Sequence, residues 1–86
     1  MTSSISNEPF ERLIISLRRD GLSAESDRLN DLIHKVAWTT GSEMIGELGL
    51  AVRKIKKEHP KGLSEESKMN IRECLKGVRR IWPRFF

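Results

Sequence analysis

The stretch Thr40-Gly41-Ser42-Glu43-Met44-Ile45-Gly46-Glu47-Leu48-Gly49-Leu50-Ala51-Val52-Arg53-Lys54-Ile55 decides the fold. Thr40 and Glu43 have the T-x-x-E spacing of a capping box, in which each side chain satisfies a free amide of the other's turn. Beyond them Met44, Ile45, Leu48, Ala51, Val52 and Ile55 fall within roughly 120° of arc at the helical 100° per residue, a stripe that must be buried against other helices. His59-Pro60-Lys61-Gly62 ends the pattern, because proline lacks an amide donor and biases the residue before it away from helix.

The same period continues on both sides. Downstream, Ser64 is placed to cap a fourth helix, with Glu65 and Glu66 favourable against its N-terminal dipole. Ile71, Cys74, Leu75, Val78 and Trp82 then repeat at i, i+3, i+4, i+7 and i+11 up to Pro83. Upstream, Leu29, Leu32, Ile33, Val36 and Ala37 predict a second helix from about Ala24 to Trp38, capped by Ser23. Phe10, Leu13, Ile14 and Leu17 predict a first one, with Asn7 as its cap, Pro9 in its first turn and Gly21 as its stop. No window alternates apolar and polar residues long enough for a strand. The expectation is an all-α, small four-helix up-and-down bundle.

Eighty-six residues support one domain. Residues 1–6 are expected to be a mobile N-terminal tail and residues 7–86 a single helical domain. No stretch approaches the roughly 20 apolar residues of a spanning helix, and Met1 to Ser6 lack the basic and apolar regions of a secretory signal, so the chain is expected in the cytoplasm.

Chemistry is sparse. Cys74 is the single cysteine, without a second thiol for a disulfide or a metal pair, and reads as a small core residue. Glycine-rich phosphate loops, G-x-S-x-G and H-E-x-x-H are absent. Asp27, Asp31 and His34 share one face of the second helix at i, i+4, i+7. Two carboxylates and an imidazole are metal-ligand types, yet the face reads as solvated. With so short a chain leaving little volume for a cleft, no enzyme, metal or cofactor is expected.

Charge and stray apolar residues carry the functional signal. The net charge of +4 is uneven. Residues 1–43 hold five Lys/Arg against seven Asp/Glu, a net −2, and residues 44–86 hold eleven against five, a net +6. Lys68, Arg72, Lys76, Arg79 and Arg80 form a basic ridge beside the fourth stripe, and Lys54, Lys56, Lys57 and Lys61 a second cluster. Trp38 lies near 180° from the centre of the second stripe, and Ile15 and Leu50 also stand off their core arcs. Gly46 and Gly49 weaken the third helix by roughly 1 kcal/mol each relative to alanine, which suggests a close approach of another helix or a partner to that backbone.

Together Ile15, Trp38, Leu50 and Gly46 are the candidate partner-binding residues. They point to a non-catalytic protein–protein interaction module with an inhibitor, immunity or antitoxin-like role. The alternative is a nucleic-acid-binding protein using the basic ridge, each phosphate contact adding a salt-dependent increment. A homodimer surface is compatible with the same residues. Membrane attachment through the aromatic and cationic ending Trp82-Pro83-Arg84-Phe85-Phe86 is the least favoured reading.

Overall fold

A computed structural model describes residues 7–84; the tail expected at 1–6 and the final Phe85 and Phe86 lie outside the described residues. Four helices follow in order: α1 (Glu8–Arg19), α2 (Ser23–His34), α3 (Gly41–Glu58) and α4 (Glu65–Ile81). α1 packs on α2 and α4, and α3 packs on α4 and α2, while the backbones of the diagonal pairs stand further apart. Side-chain bonds give the directions. Asn70 reaches Arg12 and Ser16, Ser67 reaches Ser16, and Ser64 reaches Asp20, so α4 runs antiparallel to α1. Glu11 meets His34 and Arg18 meets Asp27 between α1 and α2, and Trp82 meets Ser42 between α4 and α3. The result is an up-and-down four-helix bundle.

The core follows the predicted stripes. Phe10, Leu13, Ile14 and Leu17 of α1, Leu48, Val52 and Ile55 of α3, and Ile71, Cys74, Leu75 and Val78 of α4 are all buried. A Cα radius of gyration of 12.2 Å matches the ~12 Å expected for a folded chain of this length. No described helix is long and apolar enough to cross a membrane.

Helix ends show where local chemistry overrode the pattern. Gly21 (φ 83°) closes α1 in a Schellman turn, its amide bonding Arg18 O at 3.1 Å while the Leu22 amide bonds Leu17 O at 2.9 Å. Leu22 then serves directly as the first residue of the α2 entry, with Ser26 N bonding its carbonyl. Ser23 is therefore already helical and does not cap. Asn7 likewise makes no cap bond, because its backbone is helical (φ −90°, ψ −1°) rather than extended.

α2 stops at His34, four residues short of the Trp38 expected from periodicity. Trp38 Nε1 donates to Leu32 O at 2.6 Å, taking the carbonyl that the amide of Val36 would have used in a longer helix. Val36 and Ala37, expected on the core stripe, are consequently exposed. The two predicted caps that succeed are Thr40, whose Oγ1 accepts from Glu43 N at 3.1 Å, and Ser64, whose Oγ accepts from Ser67 N at 3.1 Å. Glu43 completes the box one residue early, accepting from Thr39 N at 3.3 Å.

Candidate functional site

A concave surface is built on the outer side of α3 and α4, where two ridges of long side chains diverge. Toward the α3–α4 turn, a groove of about 550 Å³ has Pro60, Leu63, Ile71 and Leu75 as its floor. Lys56 forms one wall and Lys68, Arg72 and Arg79 the other. A contiguous stretch of about 820 Å³ runs along α3 to Leu50, adding Arg53, Lys54 and Lys57. Neither stretch is lined by an aspartate or a glutamate. These volumes exceed what was expected of so short a chain because the space lies between surface ridges rather than inside the core.

Helical geometry explains the convergence. On α4 Leu75, Lys68, Arg79 and Arg72 fall within roughly 60° of arc on the flank turned to α3. On α3, Lys56, Arg53 and Lys57 fall on the flank turned to α4. The predicted ridge therefore divides. Lys68, Arg72 and Arg79 line the groove, whereas Lys76 and Arg80 lie further round the helix, with Lys76 bonded to Glu73 at 3.5 Å. Competing carboxylates are weak here. Lys68 meets only the exposed Glu65, at 3.4 Å, a surface pair of the kind worth about 0–1 kcal/mol. No carboxylate among the described residues pairs with Lys56, Lys57 or Arg72.

The apolar candidates do not form one patch. Ile15 and Leu50 are exposed, at 54% and 51%, but they project from α1 and α3, which sit diagonally, and so point to opposite sides. Trp38 is half-buried and held to Leu32 O rather than presented outward. The close approach expected to the α3 backbone is made from within the chain, at Gly46. The indole of Trp82 lies over it, so that an added Cβ would stand 3.1 Å from Nε1, and that Nε1 donates to Ser42 O at 2.8 Å. Trp82, expected on the α4 core stripe, is the helix's C-cap and 44% exposed. Leu50 alone of the four lines the cationic groove.

Asp27, Asp31 and His34 engage three separate partners: Arg18 at 2.9 Å, Lys35 at 3.3 Å and Glu11 at 3.1 Å. Among the described residues no three His, Cys, Asp or Glu side chains gather in a metal-holding group. Cys74 is fully buried, and burial pushes its thiol up to about 12, outweighing the pull of Arg12. A thiol so far from ionisation is a poor nucleophile.

Sequence reasoning missed two features. Arg53 was not singled out as a groove cation, although it sits one turn from Lys56 and Lys57. It also missed a polar seam between α1 and α4. Asp20 Oδ2 accepts from Ser67 Oγ at 2.6 Å, Ser64 N at 3.0 Å and Ser64 Oγ at 3.2 Å. Burial raises the Asp20 carboxyl, but the bonds from Ser67 and Ser64 together outweigh it and hold the pKa below its ordinary 3.8. Ser16 Oγ, 2.9 Å from Ser67 Oγ, extends the chain of bonds to Asn70. The signal was the presence of serines, Ser16 and Ser67, at positions the helical period turns inward.

Comparison of the chain with protein-family models, curated proteins and solved structures returns no match.

Proposed function

We propose that this chain is a non-catalytic helical interaction module that acts by covering a surface of a protein partner, in the manner of an inhibitor or immunity protein. The observation that supports it is the α3–α4 groove, with cations on both walls, no aspartate or glutamate among its described lining residues, an apolar floor and Leu50 exposed at one end. Such a face combines the two ingredients of protein recognition, apolar contact at the centre and electrostatic steering at the rim. Its partner is accordingly acidic. Inhibition by occlusion needs no reacting group, which fits a chain whose one thiol is buried and whose Asp27, Asp31 and His34 engage three separate partners.

Nucleic-acid binding is the second reading, favoured by the same gathering of cations. Two details weigh against it. Among the described residues the groove lining contains no aromatic side chain on which bases stack, and an apolar floor offers nothing to phosphates.

The test has two arms. Anisotropy of labelled duplex DNA and single-stranded RNA, titrated with the protein over a salt series, is expected to show weak or no binding at physiological salt. Tight binding whose logarithm falls linearly with log salt overturns the proposal in favour of nucleic acid. In the second arm a photo-crosslinking phenylalanine derivative replaces Leu50 in the producing cells. One dominant protein adduct, lost when Lys56→Glu and Arg72→Glu are added, is the expected result.

A further inference from the structure

We infer that the α3–α4 groove docks an acidic amphipathic helix of the partner, about three turns long. This rests on the protein-binding reading above and adds the shape and chemistry of the docked segment.

Charge complementarity sets the sign. Four cations of α3 and three of α4 face the groove, and no aspartate or glutamate is among its described lining residues. Lys56, Lys57 and Arg72 are without a carboxylate partner among the described residues, so a ligand carboxylate need not displace an internal one. Arg72 offers a planar guanidinium suited to bidentate pairing, which adds orientation to attraction.

Backbone chemistry sets the conformation. Both walls are helices whose internal amides and carbonyls are already bonded, so an extended strand finds no edge to pair with. Recognition must run through side chains, and a helix concentrates them on one face. From Lys68 to Arg79 the α4 wall spans twelve residues, eleven steps or about 16 Å at 1.5 Å per step, close to three helical turns. A docked helix of that length lays apolar residues at i, i+3 or i+4 and i+7 on the methylene stems of Lys56 and Arg72 above the nearly covered Leu63, Ile71 and Leu75, with the exposed Leu50 and Pro60 bracketing the ends. Glutamates or aspartates on its two flanks then meet the α3 and α4 walls. The third helix fills the space between two ridges, as in ordinary ridge-into-groove packing.

The experiment titrates the isotopically labelled full chain, followed by its amide NMR signals, with three probes: a synthetic acidic amphipathic peptide of about 14 residues, a scrambled peptide of the same composition, and single-stranded RNA. The amphipathic peptide is expected to give saturable shifts confined to α3 and α4 around Leu50, Lys56, Leu63, Arg72 and Leu75. Scrambling is expected to weaken it about tenfold, as is the Lys56→Glu/Arg72→Glu pair, with an unchanged melting curve for that variant. Equal binding of the scrambled peptide overturns the helical occupant, leaving charge alone. Absence of saturable shifts, while crosslinking at position 50 still captures one partner, overturns this inference and spares the protein-binding reading. Groove signals that move with protein concentration in the free chain assign the face to a second copy instead. Tight, salt-sensitive binding of the RNA overturns both readings.

Discussion

Asp20 ties the end of α1 to the start of α4, and its removal offers the sharpest quantitative check on the structure. Its carboxylate accepts three hydrogen bonds, one of them from the amide of Ser64 at the N-cap of α4. Hydrogen bonds to a charged group are worth about 1.5–3 kcal/mol when buried. Asp20 is half-buried at this end of the bundle, and in Asp20→Ala the Ser67 hydroxyl can turn to Ser16 Oγ instead. The expected cost is therefore about 2 kcal/mol, which for a domain of this size lowers Tm by roughly 10 °C. Asp20→Asn keeps an acceptor but loses the charge, and should cost about 1 kcal/mol.

The sign of the pH dependence follows from the lowered pKa. The folded carboxyl titrates below 3.8, so as pH falls the unfolded chain takes up the proton first. Asp20 thus stabilises fully above its unfolded value, and its contribution disappears as pH drops through the folded value. Thermal melts by circular dichroism from pH 7 to about pH 2.5 should show wild type above Asp20→Asn at neutral pH and the two converging in acid. An equal gap at both ends of the range, or an Asn variant that melts with wild type throughout, refutes the hydrogen-bonded carboxylate.

Three further outcomes follow from the packing. Leu48→Asp places an unpaired carboxylate at a fully buried position, a cost of several kcal/mol against a total stability of about 5–10; the helical dichroism should be lost, and a native-like melt would show the α3 stripe to be misplaced. Gly46→Ala gains roughly 1 kcal/mol of helix propensity but crowds the Trp82 indole, so it should be near neutral in wild type and stabilising by about 1 kcal/mol in a Trp82→Ala background. An identical effect in both backgrounds would remove Trp82 from its seat. Cys74 should resist a disulfide-exchange reagent at neutral pH in the folded protein and react on denaturation; rapid modification of the folded chain would contradict its burial.

Much of the fold was legible because helical period is a direct consequence of burial. The stripes of α1, α3 and α4 name their own core residues, and Thr40 and Ser64 cap at fixed offsets. The failures occur where a side chain from elsewhere replaces a backbone partner. Trp38 carries its own helix stop, since an indole N–H can occupy Leu32 O as well as an amide can, and no period encodes that. Gly21 does end α1, but the Schellman turn passes Leu22 straight into α2 and leaves Ser23 with nothing to cap. At the candidate site, the cations of each helix were visible separately. That two flanks face one another across Leu63, Ile71 and Leu75 depends on which helices are neighbours, a property of the assembled bundle. Gly46 and Gly49 together suggest a close approach to the α3 backbone, and at Gly46 the neighbour is an indole thirty-six residues away in the same chain.

The two indoles share one end of the bundle. Trp38 sits on the last turn of α2 and Trp82 on the first turns of α3, and the chain holds two tryptophans and no tyrosine. Intrinsic emission excited near 295 nm, a wavelength roughly selective for indole, therefore originates wholly from that end. It reports fraying around Leu32 and Ser42 and is blind to the opposite end, where Asp20 meets Ser64 and where the floor at Leu63 begins. An emission transition that precedes the loss of helical dichroism would mean that the indole end opens first, and coincident transitions would mean that the two ends melt as one unit.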